Sequence, residues 1–161
     1  MIRPYTPEDK PQLIALLQLN VPQYFAASEV NDFVEYLDKH LEDYYVIELD
    51  GQIVGSGGIN YFPEERQARI SWDIVHPDWQ GQGLGRQLMR FRIDRIKENH
   101  DIDVIIVRTT QLVHSFYAKM GFELERVEPD FWAPGFDLYQ MRMMCWYADL
   151  FIYNWLIMFY V

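Results

Sequence analysis

The sequence has a single cysteine, Cys145, among its 161 residues. One thiol can form neither an internal disulfide nor a cysteine-based zinc site, which fits a protein of a reducing compartment. Basic residues are also few, because 14 Lys and Arg stand against 24 Asp and Glu and leave a formal net charge of −10. This balance argues against nucleic-acid binding as the main activity and is compatible with cationic partners.

The chain also lacks the features of an exported or low-complexity protein. Residues 1–10 are too polar for the apolar region of a signal peptide, and no internal repeat is present. We therefore expect a cytoplasmic protein. The length and the hydrophobic content of 50% suit one domain with a continuous core.

Apolar periodicity predicts helices and strands that alternate along most of the chain. Two amphipathic helices come first, and a hairpin over 44–60 follows, with Asp50-Gly51 suited to its tight turn. The later elements are a strand over 68–75, a helix over 84–99, a strand over 104–107, a helix over 113–120, and strands over 122–127 and 136–143. This order predicts an α/β (α+β) fold, with a mixed sheet and helices on both faces.

Strict alternation along 68–75 predicts one core face and one mostly polar face. The residues expected to share the core face are Ile70, Trp72 and Ile74. Those expected on the opposite face are Arg69, Ser71, Asp73 and Val75.

A glycine-rich segment follows this strand and opens the next helix. Gly81, Gly83 and Gly85 let the chain pass close to a ligand, and the first turn of the helix supplies unpaired amides at the positive end of its dipole. The spacing excludes the dinucleotide fingerprint G-x-G-x-x-G and the triphosphate loop ending in Gly-Lys-Ser/Thr. The segment therefore predicts an anion site, whose candidate residues are Gln80, Gly81, Gln82, Gly83, Leu84, Gly85 and Arg86.

Two motifs give residues 1–143 a family resemblance. The segment 80–85 matches Gln/Arg-x-x-Gly-x-Gly/Ala, and the segment 116–122 matches Phe-Tyr-x-x-x-Gly-Phe. With these motifs the chain resembles the GNAT superfamily of N-acetyltransferases. The resemblance implies a twisted, mostly antiparallel sheet whose splayed central strands hold acetyl-CoA. It also implies that the backbone around Asp73, Ile74 and Val75 pairs with the pantetheine arm, while amides of 80–86 bind the pyrophosphate.

The resemblance further implies direct transfer of an acetyl group to a primary amine. Tyr117 aligns with the family's general acid, since a phenol can donate a proton to a developing thiolate; the alternative is a tyrosine that only packs the short helix. Asp73 is our candidate general base, but it could instead bind the cationic amine or be a solvated strand residue. The family's frequent glutamate on this strand is replaced by Arg69.

A second departure concerns the loop after the strand over 104–107. The family frequently carries an asparagine there, and this sequence has Thr110 with Gln111 beside it. A hydroxyl or side-chain amide could make the same hydrogen bond to pantetheine, so both residues are candidates for cofactor binding.

Residues 144–161 lie outside the resemblance and form a predicted hydrophobic tail. Only Asp149 is charged in this stretch. As a helix, residues 143–161 would span about 28 Å, which is close to a bilayer core. Asp149, Asn154 and the scattered tyrosines argue against insertion, so we favour packing or a homodimer through the tail. A cloning or reading-frame artefact is a third interpretation.

The sequence thus favours an acetyl-CoA-dependent N-acetyltransferase that uses no metal. Two other classes stay open: a non-catalytic acyl-CoA-binding module, and an interaction protein driven by its tail. The acceptor is not identified, although the net negative charge favours a cationic amine held near Asp73.

Overall fold

Strands and helices account for most of residues 1–145, the part of the chain that this computed structural model describes. The strands are β1 (Ile2–Pro4), β2 (Asp43–Leu49), β3 (Gln52–Phe62), β4 (Gln67–Val75), β5 (Val104–Thr109), β6 (Glu123–Ala133) and β7 (Phe136–Met144). The α-helices are α1 (Lys10–Gln18), α2 (Glu29–Lys39), α3 (Leu84–Lys97) and α4 (His114–Lys119). Apart from Met144 and Cys145, the predicted tail lies outside the described residues, and its role in packing or dimerisation stays a prediction.

The strands form one open mixed sheet in the order β1-β2-β3-β4-β5-β7-β6. Neighbouring strands within residues 1–145 are antiparallel, except for the parallel pair β4 and β5. The predicted mixed, mostly antiparallel sheet is confirmed. None of the helices in these residues is both long and apolar enough to cross a membrane.

Helices cover both faces of the sheet, as predicted, and each face has its own apolar core. Leu13 and Leu17 of α1 and Phe33 of α2 are buried on one face. Leu88 and Met89 of α3 are buried in the other cluster, together with Tyr117 of α4. Burial of these side chains on two sides fixes the sheet as the middle layer of the fold.

The parallel pair at the centre of the sheet is short. Residues 67–70 of β4 pair with residues 104–107 of β5, and Ile70 opposite Val107 is the last pair. Beyond this pair the remainder of β4 bonds only to β3. The two strands therefore separate, and the sheet opens into a fork between them.

A β-bulge in β4 lies next to this fork. Trp72 has a φ of +51°, and the register with β3 shifts so that Ser71 faces Gly58 whereas Ile74 faces Ser56. Two residues of β4 thus oppose one residue of β3, which reverses the inward and outward alternation. The prediction that Ile70, Trp72 and Ile74 share one face is wrong: Ile70 packs in the core under α3, and Ile74 packs with Trp72 in the core under α1 and α2.

Candidate active site

The fork between β4 and β5 opens into a cavity of about 970 Å³. Its walls come from both strands, from α2 and α4, and from the loop that precedes α3. Most of the residues singled out from the sequence line it, namely Asp73, Ile74, Val75, Gln80, Gly81, Gly83, Leu84, Gly85, Arg86, Thr110 and Tyr117.

Two predicted residues are not brought to the cavity. The side-chain amide of Gln82 donates to the Asp78 carbonyl at 2.9 Å on the exposed side of the loop. Gln111 ties the β6–β7 turn instead, because its Nε2 donates to the Gly135 carbonyl at 2.6 Å and its Oε1 accepts from the Asp137 amide at 3.0 Å. Of the two candidates in this loop, Thr110 alone faces the cavity.

The glycine loop owes its shape to backbone conformation. Gly81 and Gly83 have φ values of +74° and +86°, and a Cβ at either position would meet no atom within 4 Å. These positions need glycine for its freedom at positive φ. Gly83 caps α3, and the first-turn amides at Leu84, Gly85 and Arg86 have no acceptor within the helix. The loop therefore presents unpaired amides to the cavity, which suits an anionic ligand.

Gln80 anchors this loop from within. Its Nε2 donates to Asn20 Oδ1 at 3.0 Å and to the Val75 carbonyl at 3.1 Å. Asn20 is buried and donates in turn to the Leu16 and Val75 carbonyls. The backbone amide of Gln80 donates to the Pro77 carbonyl. The side chain and the backbone amide of Gln80 are therefore both used in holding the loop in place.

Asp73 and Tyr117 meet at the fork. The Tyr117 hydroxyl donates to Asp73 Oδ2 at 2.7 Å, and Asp73 Oδ1 forms an ion pair with Arg92 of α3. The Asp73 side chain retains 20% exposure, whereas the Arg92 side chain retains 1%. Asp73 is therefore not a solvated strand residue, which removes one of its three interpretations.

Arg92 is a site residue that the sequence reasoning missed. It extends from α3 under the sheet, where Nη1 donates to the Gly58 carbonyl at 3.1 Å and Nε to the Leu88 carbonyl at 3.4 Å. The sequence did contain a sign that Arg92 is buried, because position 92 lies in the apolar row formed by Leu84, Leu88 and Ile96 along one helix face. A charge in such a row requires a buried partner, and Asp73 was the candidate carboxylate.

Gly57 makes room for this ion pair. A Cβ at Gly57 would lie 2.5 Å from Arg92 Nη1 and 2.5 Å from Asp73 Oδ1. Since Cβ atoms do not tolerate such approaches, a side chain here would displace the pair. The glycine in β3 and the bulge in β4 together set the position of Asp73.

Burial controls the protonation of Tyr117. Its removal from water raises the pKa of the phenol well above 10, and the charge of Asp73 and the hydrogen bond to it raise that pKa further. The hydroxyl therefore stays protonated at neutral pH and remains a hydrogen-bond donor.

A second carboxylate lines the cavity on the side of α2. Glu29 Oε2 accepts a hydrogen bond from the Ala26 amide at 2.7 Å, and burial raises the pKa of Glu29 above its ordinary value of 4.5. The wall beside it is aromatic, with the Phe25 and Trp72 rings stacked at 6.1 Å between centroids. The sequence reasoning had not selected Glu29, and its position at the start of a helix also fits a simple capping role.

Among residues 1–145, no group of three or more His, Cys, Asp or Glu side chains could hold a metal ion.

A family comparison agrees with this geometry. The family model described as an acetyltransferase (GNAT) domain matches residues 40–124, which is more than half of the chain. The chain belongs to the GNAT family. The match includes the bulged strand, the glycine loop, α3 and the segment that carries Tyr117.

Curated relatives and solved structures give a consistent result for this GNAT domain. The amino-acid acetyltransferase of Mannheimia succiniciproducens is 32% identical over 79% of this chain and 28% of its own length. The amino-acid acetyltransferase of Pasteurella multocida is 31% identical over 70% of this chain and 25% of its own length. The chain thus matches only about a quarter of the length of these relatives.

Two solved structures share the fold at low sequence identity. The ribosomal-protein-S18-alanine N-acetyltransferase of Escherichia coli superposes with a TM-score of 0.76 at 16% identity, covering 92% of this chain and 95% of its own. An aminoglycoside 6'-N-acetyltransferase solved with coenzyme A gives a TM-score of 0.73 at 15% identity, covering 92% and 98%. These similarities confirm the GNAT fold.

Proposed function

We propose that this chain transfers an acetyl group from acetyl-CoA to a primary amine of a small molecule or peptide by direct attack. The observation that carries the proposal is the contact of 2.7 Å between Tyr117 and Asp73 in a cavity also lined by the glycine loop. Family membership supports the reaction class, and the coenzyme A complex of the aminoglycoside acetyltransferase supports the donor. The names of the curated relatives place amino acids first among the acceptors to test.

The glycine loop and the fork suit the two halves of the donor. The unpaired amides at Leu84, Gly85 and Arg86 would hold the pyrophosphate, with the positive end of the α3 dipole behind them. Residues 73–75 of β4 lack a partner strand on the fork side. The Val75 carbonyl already accepts from Gln80 and Asn20, and the other backbone groups on that side are available to pair with the amides of the pantetheine arm. Thr110 faces the same cavity and can add a hydroxyl contact.

Tyr117 would act on the leaving sulfur. As the amine nitrogen bonds to the acetyl carbon and the carbon–sulfur bond breaks, negative charge develops on the thiolate. A phenol that stays protonated at neutral pH can donate a hydrogen bond, and then its proton, to that sulfur. Asp73 would orient the phenol through its Oδ2.

The proton of the attacking amine needs a separate acceptor. Direct transfer to Asp73 would have to displace the phenol or the guanidinium, since both of its oxygens already have partners. Glu29 lines the cavity and is a second candidate, with a pKa that burial moves towards neutrality. Comparing pH–rate profiles of Asp73→Asn and Glu29→Gln will assign the role, because only loss of the base removes the enzyme's own contribution to the acidic limb of kcat/KM, and ionisation of the acceptor amine remains in both variants.

The function is tested by thiol release from acetyl-CoA with a panel of amino acids, peptide N-termini, polyamines and simple amines. We expect turnover with at least one acceptor and strong dependence on Tyr117. Tight acetyl-CoA binding without turnover on any acceptor would contradict the enzyme and favour the acyl-CoA-binding module.

A further inference from the structure

Two arginine side chains in the cavity wall combine a buried Nε atom with the lack of an acidic partner within residues 1–145. Arg69 of β4 and Arg108 of β5 both line the cavity, and the Nε atom of each is buried without a hydrogen-bond partner. Neither guanidinium belongs to an ion pair among the described residues. Buried donors of this kind are normally satisfied, so the arrangement points to a partner that comes from outside residues 1–145.

The fold places both arginines at the fork. Arg69 precedes Ile70 and Arg108 follows Val107, and Ile70 and Val107 form the last pair between β4 and β5. Because those two residues pack in the core under α3, adjacent side chains point to the opposite face of the sheet. Arg69 and Arg108 therefore flank the fork on the side of α1 and α2.

Aromatic rings hold the two cations in place without supplying an acceptor. The Arg69 guanidinium lies 4.4 Å from the centroid of the Phe62 ring. The Arg108 guanidinium lies 4.8 Å from the Phe131 ring and 5.2 Å from the Trp132 ring, and Trp132 is fixed by a hydrogen bond to the Thr109 carbonyl. Such stacking orients a guanidinium and leaves its N–H groups for a planar anion.

Local charge adds to the case for an anion. Burial lowers the pKa of Arg108, and the positive charges of Arg69 and Arg126 lower it further, against the opposing effect of Glu128. The acids that line the cavity have other partners: Glu29 accepts from the Ala26 amide, Glu42 accepts from Asn60 and the Tyr61 amide, and Asp73 pairs with Arg92. Arg69 and Arg108 thus place two positive charges at this end of the cavity that no ion pair among residues 1–145 offsets, in a chain whose net charge is −10.

We infer that Arg69 and Arg108 bind a carboxylate of the acceptor, so that the substrate carries a carboxylate and the reacting amine on one molecule. The inference rests on the proposed acetyl transfer and names its substrate class: an amino acid, or a peptide with an acidic group near its amine. It adds a carboxylate to the cationic amine that the net charge of the chain favours. Two guanidinium forks match the planar geometry of a carboxylate, which an ammonium acceptor lacks.

The direct test compares each amino acid with its carboxamide and with the amine that lacks the carboxylate, at saturating acetyl-CoA. We expect kcat/KM to fall about 100-fold or more when the carboxylate is neutralised or removed, because two charge-assisted contacts are lost. Rates with peptides that carry an acidic or a neutral second residue are compared in the same way. They show whether the carboxylate belongs to a free amino acid or to a peptide with an acidic group near its amine. Equal rates for acids, amides and simple amines would overturn the inference.

The variants Arg69→Gln, Arg108→Gln and their combination identify the residues. Each should raise KM for the carboxylate acceptor while acetyl-CoA affinity stays within about twofold, and the preference for acid over amide should disappear in the double variant. Arg126→Gln is the matched control, since Arg126 is an exposed arginine near Arg108 that does not line the cavity. Thermal unfolding checks integrity, and the double variant should melt no lower than the parent because unpaired charges are removed.

Binding measurements separate failure of this inference from failure of the proposed function. If no acceptor is turned over, calorimetry with N-acetylated amino acids and their amides still tests the site without chemistry. Selective binding of the acids that is lost in the double variant would support the carboxylate site. Absence of binding by acids and amides alike would overturn it.

Discussion

Asp73 of β4 forms an ion pair with Arg92 of α3 at the edge of the cavity, and the second carboxylate oxygen of Asp73 accepts a hydrogen bond from the hydroxyl of Tyr117. The ion pair lies against the backbone of Gly57, where no side chain would fit. The buried Arg92 side chain thus fixes the Asp73 carboxylate, and that carboxylate orients Tyr117, the predicted general acid. The contact joins the packing of the core to the chemistry of the site, and several tests depend on it.

Replacing Tyr117 with Phe should lower kcat by about 100-fold, because the donor to the leaving sulfur is lost. The affinity for acetyl-CoA should change by no more than about threefold, since the ring and its packing remain. Stopped-flow turnover and calorimetric binding measure the two effects separately. Tyr139→Phe is the control, because the Tyr139 ring packs against His114 and does not line the cavity. Unchanged turnover in Tyr117→Phe would remove it from the mechanism.

Breaking the pair between Arg92 and Asp73 should cost stability. Arg92→Met leaves a partly buried carboxylate without its cation and should lower the free energy of unfolding by about 3 kcal/mol. Adding Asp73→Asn should restore part of that loss, which urea denaturation of both single variants and the double variant will measure.

The exposed pair of Lys39 and Glu35, 3.0 Å apart, provides the control for this cycle. Lys39→Gln should change stability by no more than about 0.5 kcal/mol, because water screens such a pair. Additive losses in the double variant of Arg92 and Asp73 would show that the two side chains are not energetically coupled.

Gly57→Ala should destabilise the chain by about 2 kcal/mol and reduce turnover, since the added methyl group displaces Arg92 and Asp73. Gly85→Ala is the matched substitution, because the nearest atom to its Cβ would be 3.6 Å away. It should keep the melting temperature of the parent and raise the KM for acetyl-CoA through contact with the donor. Equal melting temperatures for both variants would contradict the packing described around Gly57.

Glu29→Gln should change how stability depends on pH. Because burial raises the pKa of Glu29 above 4.5 in the folded chain, the folded state holds its proton at a higher pH than the unfolded state. The contribution of Glu29 to stability is therefore full below its ordinary pKa of 4.5 and is lost as the pH rises through its pKa in the folded chain. Gln keeps an acceptor for the Ala26 amide and carries no charge.

The variant should therefore melt higher than the parent at about pH 7.5, and the difference should vanish at about pH 4. Thermal unfolding across this range measures it, with Glu35→Gln on the exposed side of the same helix as the control. A constant difference across the range would contradict a raised pKa for Glu29.

Much of the fold followed from local patterns. The Asp50-Gly51 turn, the alternation of elements and the glycine loop lie where the sequence predicts them. Two strands differ from the sequence prediction, and each difference has a physical reason. β1 is three residues long and has too few positions to display a period, and β6 continues past Pro129, which an edge strand tolerates because that side of it needs no ladder donor.

The interior of the candidate site was harder to predict. Alternation placed Asp73 on a polar face, but the bulge at Trp72 turns it towards α3, and no local propensity marks a bulge of this kind. Arg92 interrupts an apolar row and could have been recognised as a buried charge. Its partner could not be identified from spacing alone, because the pairing depends on register between distant elements.

Asn20 and Gln80 share one hydrogen bond of 3.0 Å that ties the end of α1 to the glycine loop. Shortening either side chain alone would strand a buried amide, whereas a compensating change in the other could rebuild the contact. Positions 20 and 80 should therefore tolerate substitution together more readily than singly. A library that randomises both codons together should yield active combinations that are missing from libraries of either codon alone.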